Sequence, residues 1–267
     1  MASSAASRSK LSSNAMSSTL RCLRVLDILA EPPYELSLTE IVARLKMVKG
    51  SAHRMVRTLC EAGLVEQDVR SRLYRLSPKS FWVGTAFLRH SAVYQAALPL
   101  MHSMMERAGG MAHLAAWHER ALMYLHTISQ PGESHLFAEI GERWPLHCTG
   151  LGKAMLAYRE PREIDLLFAV ERTRFTANTI TTGDAMKREV ARIRARGYAV
   201  DDEEMVQGVR CVAAPIFQRD GLAVAAVSVS APTSLLTDQR IAECAAIVCE
   251  AALRTSMQLG FRPPVRE

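Results

Sequence analysis

The sequence predicts an α+β protein in two parts, an N-terminal winged helix-turn-helix and a larger C-terminal domain with an antiparallel sheet. Three observations carry that prediction. The net charge of +6 over 267 residues lies wholly in residues 1–80, which hold 13 Lys and Arg against 7 Asp and Glu; residues 81–267 hold 20 of each. Within the basic part, two short helices with apolar stripes stand ahead of a hairpin. Beyond it, strand-type and helix-type segments mix, and two apolar strands joined by a tight turn argue for antiparallel pairing.

Composition narrows the classes further. The length favours two domains, and 49% hydrophobic with 22% charged residues is enough to build a core in each. No apolar run approaches the ~18 residues of a membrane span; Leu222 to Val229 is the most continuous and has strand length. The six cysteines form no C-x-x-C pair, so a reducing, cytoplasmic setting is expected. The eight histidines contain no H-E-x-x-H, and His113 and His118 are five apart, the wrong spacing for one helical face. Neither a metal nor a cofactor is predicted. Residues 1–16 are rich in Ser and Ala, with Arg8 and Lys10 and no acid, and read as a disordered tail; a transit peptide is the competing reading.

Residues 17–78 form the expected reader. A first helix at 17–30 places Leu20, Leu23, Leu26 and Ile28 or Leu29 on one stripe, and Glu31-Pro32-Pro33 stops it. Ser37 then caps a second helix with Glu40 completing a capping box, and Leu38, Ile41, Val42 and Leu45 follow helical spacing. After Lys46-Met47-Val48 a third helix runs from about Gly50 to Ala62, burying Ala52, Val56 and Leu59 and ending at Gly63. Its outward face carries Ser51, Arg54, Arg57 and Thr58, with Lys49 and His53 beside them. These side chains can donate to base edges and phosphates in a major groove, although a solvated helix face would look the same. Leu64-Val65-Glu66 and Leu73-Tyr74-Arg75-Leu76, joined by Asp68-Val69-Arg70-Ser71-Arg72, make a wing. Arg70, Arg72 and Arg75 are expected to contact phosphates.

Residues 79–110 are read as linker and dimerisation helices, over 80–91 and 94–109, with Leu98, Met101, Met104 and Met105 on one side and Pro99 early in the second. Residues 111–260 form the second domain. Met111–Trp117 and Leu122–Thr127 are strands around a tight His118-Glu119-Arg120 connection, and a helix covers about Gly150 to Tyr158. A basic helix over Ala185–Arg196 stops at Gly197. Strands Val209–Phe217 and Leu222–Ser230 follow, and Thr237 or Asp238 caps a final helix to about Leu259.

Catalytic motifs fail in this domain. Gly150-Leu151-Gly152-Lys153-Ala154 lacks the spacing of a phosphate loop, with His147 where the first Gly would be and Ala154 where Ser or Thr would be. Asp201-Asp202-Glu203-Glu204 reads as a solvated turn, with metal ligands or paired acids as the sharper alternative. Ser228 and Ser230 stand in no nucleophile elbow. The chain is not expected to be an enzyme. A small-molecule enzyme or metal-binding protein with an incidental basic domain stays as the alternative class.

The residues Pro145-Leu146-His147-Cys148-Thr149-Gly150-Leu151-Gly152-Lys153-Ala154-Met155-Leu156-Ala157 resemble the IclR family of bacterial transcription regulators. So do Arg196 to Glu204, Gly208 to Ile216, and Ala226-Val227-Ser228-Val229-Ser230, in family order over about 17–259. The resemblance implies a winged helix-turn-helix, a linker helix and a GAF-like effector-binding domain, assembled as a homodimer or homotetramer on a double-stranded DNA operator. Where the family commonly has Gly-Leu-Pro-Lys-Ser-Thr, this chain has Lys46-Met47-Val48-Lys49-Gly50-Ser51, which bears on the operator sequence. Carried over by position, the effector pocket is lined by Gly150, Leu151, Asp201, Cys211, Ser228 and Ser230. Amides at a helix N-terminus would bind a carboxylate there. Asp201 would accept from a ligand hydroxyl or from a neighbouring donor. The implied effector is a small oxo or hydroxy acid, aromatic if Trp117, Tyr124 or Phe137 reaches the pocket.

Overall fold

The computed structural model describes residues 18–129 and 139–263, so the expected tail and Phe137 lie outside the described residues. The chain divides into two compact units, one ending at Phe87 and one beginning at Leu88.

The first unit begins with α1 (Ser18–Leu29), which buries Val25 and Leu29. Leu20 and Leu23, expected on the buried stripe, are exposed. The buried face is the narrower row one turn apart, because the helix packs on one side only. A short strand β1 (Glu35–Leu36), absent from the sequence reading, precedes α2 (Leu38–Leu45). Ser37 and Glu40 form the capping box: the Ser37 hydroxyl accepts from the Glu40 N–H at 3.3 Å and the Glu40 carboxylate accepts from the Ser37 N–H at 2.7 Å. Lys46 takes the left-handed conformation at φ 50° and turns the chain into α3 (Lys49–Glu61), which buries Ala52, Val56 and Leu59 as expected. Gly63, at φ 73°, follows its end. The wing is β2 (Val65–Gln67) against β3 (Tyr74–Leu76), and β1 joins as a third antiparallel strand in the order β1-β3-β2. One core of Val25, Leu29, Leu36, Ile41, Val56, Leu59, Val65 and Tyr74 unites all six elements.

Next, α4 (Pro78–His90) buries none of its residues. The second unit continues through α5 (Ala92–Ala108), whose buried row is Ala97, Met101, Met104 and Ala108 rather than Leu98 and Met105. Pro99 stands two turns into α5, not in its first turn. It has no N–H to give the carbonyl of Gln95 four residues earlier, and Gln95 is exposed.

Strands β4 (Met111–His118) and β5 (Ala121–Ile128) pair through a two-residue turn at Glu119 and Arg120, both with positive φ. Short β6 (Arg143–Trp144) pairs with β5. Helices α6 (Gly150–Leu156), α7 (Pro161–Leu167) and α8 (Gly183–Arg196) follow, the last stopped by Gly197 at φ 85°. Then come β7 (Ala199–Asp202), β8 (Val209–Phe217), β9 (Ala223–Pro232) and α9 (Asp238–Gln258). The sheet order is β6-β5-β4-β9-β8-β7, all pairs antiparallel.

Alternation along each strand sends residues to two cores. Leu114, Val212, Val227 and Val229 pack with α5 and α9, whereas Tyr124, Cys211, Ala213 and Ala226 pack with α6, α7 and α8. The acidic run is not a solvated turn. Asp201 and Glu204 are buried, Asp202 is exposed and Glu203 half-buried, because the strand continues to Asp202 and Glu204 then turns in to Lys153 on α6.

Candidate functional site

On the first unit, α3 presents Lys49, His53, Arg54, Arg57 and Thr58 to solvent, with Ser51 half-buried. Arg57 pairs with Glu61 one turn on, Nε to Oε1 at 2.9 Å, and the Thr58 hydroxyl donates to the Arg54 carbonyl at 3.0 Å. Both would give up an existing partner to reach a ligand; among the described residues no carboxylate holds Arg54. The wing tip is internally organised. Asp68 Oδ1 accepts from the N–H groups of Arg70 and Ser71 at 2.9 and 2.7 Å, and the Arg72 N–H donates to the Asp68 carbonyl at 3.0 Å. Arg70 and Arg72 therefore stand outward from a fixed loop, and Arg75 is paired to Glu66 at 2.8 Å. Charge and a rigid mount suit contact with a phosphate backbone.

On the second unit, strand register builds a different site. Asp201 lies opposite Cys211 and Cys211 opposite Ser230, so three strands place one row across the sheet. Above that row, α6 comes close enough that a Cβ on Gly150 would stand 3.0 Å from the Cys211 sulfur. A small, partly open cavity of about 30 Å³ lies between them. Gly150, Leu151, Asp201, Cys211 and Ser230 line it, all from the sequence reading. Ser228 does not line it: it occupies the next row, opposite Ala213 and His113, and is fully buried. The two serines share a face, and Ser228 sits behind the cavity wall beside His113, which does line it.

The α6 amides are also less available than the sequence suggested. Thr149 caps the helix, its hydroxyl accepting from the Gly152 N–H at 3.2 Å, and α6 has only seven residues. That leaves Gly150 and Leu151 facing the cavity and a small helix dipole.

Aromatic side chains close the other wall. Tyr124 packs edge-on against His113 at 5.7 Å and against Trp144 at 5.5 Å, and all three line the cavity. Trp117 does not reach it and lies under the Arg159 guanidinium. His113 accepts or donates at Thr127 Oγ1 across 3.1 Å, and burial lowers its pKa to about 4, so the imidazole is neutral. Burial holds the Tyr124 phenol well above its ordinary range. Burial, with the Asp201 charge adding, pushes the Cys211 thiol up to about 11. The lining is thus largely uncharged.

The exception is a buried charge cluster, of which Asp201 lines the cavity while Lys153 and Glu204 lie behind it. Lys153, 1% exposed, donates to the Val200 carbonyl at 2.6 Å and pairs directly with Glu204. Asp201 Oδ1 accepts from the Glu204 N–H at 2.8 Å, a neighbouring donor as expected. Burial raises the Asp201 carboxyl to about 7, against the pull of Lys153, and raises Glu204 in the same sense. Sequence reasoning missed this pair. The one available signal was a Lys inside a helix otherwise made of Gly, Ala, Leu and Met, since a cation on a buried helix requires an anion.

Residues 18–69 match the IclR helix-turn-helix domain, and residues 85–257 match the domain described as bacterial transcriptional regulator IclR C-terminal. The chain is 37% identical over 248 residues to the HTH-type transcriptional regulator BhcR of Paracoccus denitrificans, covering 92% of this chain and 88% of that one. It is 32% identical to the HTH-type transcriptional regulator KdgR of Escherichia coli, covering 93% and 94%. Among solved structures, the IclR regulator of Alicyclobacillus acidocaldarius superposes with a TM-score of 0.82 at 26% identity, covering 92% of this chain and all of that one. The Thermotoga maritima IclR gives 0.70 at 30% identity, covering 91% and 98%.

Proposed function

The chain belongs to the IclR family of DNA-binding transcriptional regulators, and from that premise we propose that a small carboxylic acid in the α6–β8 cavity sets its operator affinity. The carrying observation is the row Asp201–Cys211–Ser230, facing first-turn amides on one side and Tyr124, Trp144 and neutral His113 on the other. Polar groups gathered at one end and aromatic edges at the other suit a flat or aromatic acid whose carboxylate meets Ser230 and the Gly150 and Leu151 amides. The aromatic wall favours a benzoate-type ligand over a strongly hydroxylated sugar acid.

The reader is α3 with the wing: Lys49, Ser51, His53, Arg54, Arg57 and Thr58 enter a major groove, and Arg70, Arg72 and Arg75 fix the register on phosphates. The protein acts in the cytoplasm as a homodimer or homotetramer. Its α4 supports self-association, because Phe81, Trp82, Val83 and Phe87 are all at least half exposed on one thirteen-residue helix.

The test pairs two measurements on the full-length protein. A randomised duplex pool is selected for binding, and the selected duplex is titrated by fluorescence anisotropy with and without each acid of a panel of benzoates, hydroxybenzoates and 2-oxo acids. Salt-sensitive duplex binding that one of these acids shifts is expected. Failure of every acid to change DNA affinity would overturn the effector assignment.

A further inference from the structure

The buried charges beside the cavity do not balance. Lys153, Asp201 and Glu204 are each less than a tenth exposed, and one ammonium faces two carboxylates. Lys153 is committed to Glu204 and to the Val200 carbonyl, and no direct bond from it reaches Asp201. One negative charge is therefore left over, and it sits on the only one of the three groups that lines the cavity.

Among the described residues, the other titratable groups around Asp201 offer no cation. His113 from β4 is neutral, and Cys211 on β8 and Cys148 ahead of α6 are held as thiols by burial. Tyr124 from β5 stays a phenol. Farther out, Glu142 accepts from the Trp144 indole at 3.0 Å, and Glu189 on α8 is paired with Arg196 at 2.8 Å. An anion entering this cavity would face a buried carboxylate held by the Glu204 and Met205 N–H groups and by the charge of Lys153, which is itself committed to Glu204; in a low-dielectric setting two like charges side by side are costly to hold.

We infer that Asp201 is the selectivity residue of the cavity, binding a carboxylate ligand as the neutral acid, so that one proton enters from solvent with each ligand. In the complex the Asp201 O–H donates to the ligand carboxylate, and Oδ1 keeps the Glu204 N–H. The proton count is closed: free Asp201 carboxylate, one solvent proton and one ligand anion give one hydrogen-bonded acid–carboxylate pair. A free carboxyl that titrates near neutrality makes the uptake small in acid and complete in mild alkali. The inference rests on the cavity being an anion site, as proposed above.

The experiment is calorimetry on the full-length protein with benzoate and its hydroxylated forms as probes, and with the matching benzamides as uncharged controls. Titrations at pH 8 in phosphate and in Tris report the protons taken up per ligand. Uptake near one is expected for an acid and near zero for its amide. Acid affinity should fall about tenfold per pH unit above ~7, while amide affinity stays flat. Asp201→Asn supplies a permanent N–H donor with nearly the same shape, so it should bind the acid without pH dependence between 6 and 9. A carboxylate that binds with no proton uptake, or an Asn variant that keeps the wild-type pH slope, overturns this inference and leaves the anion site standing. Binding of amides alone, or of neither class, overturns the anion site itself and this inference with it.

Discussion

Replacing Lys153 with Met should unfold the second unit selectively, and by an amount the structure lets us bound. Met conserves most of the side-chain volume, so packing on α6 is little changed. What disappears is, among the described residues, the only cation bonded to Glu204, together with the 2.6 Å donor to the Val200 carbonyl. Removing one partner of a buried pair costs about 3–5 kcal/mol, because the other charge is left uncompensated; of this, about 1–2 kcal/mol belongs to the orphaned carbonyl. Lys153→Met/Glu204→Met removes both charges and should recover all but that carbonyl share, since an apolar pair of similar volume is often as stable as the ion pair. The deficit should also depend on pH. Asp201 and Glu204 already carry folded-state pKa values raised above their unfolded ones. Such groups lend stability below the unfolded pKa and lose it as pH rises through the folded pKa, and loss of Lys153 lifts both values further. The single variant should therefore approach wild type near pH 5 and fall furthest behind above pH ~7. Urea unfolding in a Trp82→Phe background, where Trp117 and Trp144 report on the second unit, measures this. A double variant as unstable as the single would mean that volume, not charge, is what Lys153 supplies.

Three further outcomes follow from the same geometry. Arg70→Ala/Arg72→Ala should weaken binding to every duplex and reduce the salt slope by about 2, near 0.9 per lost phosphate contact; an unchanged slope in anisotropy titrations at several salt concentrations would remove the wing from the backbone. Arg54→Ala should cost about 1–3 kcal/mol on the selected duplex and less on random duplex if Arg54 pairs with a guanine, and equal losses would make it a phosphate contact. Ser230→Ala should cost about 1–3 kcal/mol of acid binding by leaving a ligand acceptor unpaired. Ser228→Ala, buried behind the cavity wall, should leave calorimetric affinity within twofold, and the reverse order would place the ligand deeper, against Ser228.

The reader was legible because its information is local. A capping box spans four residues, an apolar row repeats within two turns, and a wing is two strands joined by six residues, so Ser37, Glu40, Ala52, Val56 and Leu59 could be placed from spacing alone. Errors there came from judging how wide a buried face is, as with Leu20 and Leu23, since the extent of packing depends on neighbours distant in sequence. The cavity was legible only through its resemblance to a family. Asp201, Cys211 and Ser230 are brought into one row by the register of three strands, and alternation along β9 explains why Ser228 shares their face. Alternation cannot say where α6 covers that face, so it could not exclude Ser228 from the cavity.

The acidic run shows the limit most sharply. Four consecutive acids suggest solvent to any reading based on composition, and two of them are nonetheless buried. Their burial is possible only because Lys153 lies about fifty residues earlier on a helix that otherwise has no reason to carry charge. Neither half of that arrangement makes sense alone: a buried Lys without Glu204, or a buried Glu204 without Lys153, would each cost more than a domain's margin of stability allows. The remaining carboxylate, Asp201, has no such partner and faces the cavity instead. A fold that could have placed an apolar residue there holds an uncompensated acid near neutrality at its own expense, which is the expected position of a group that answers to a ligand rather than to stability.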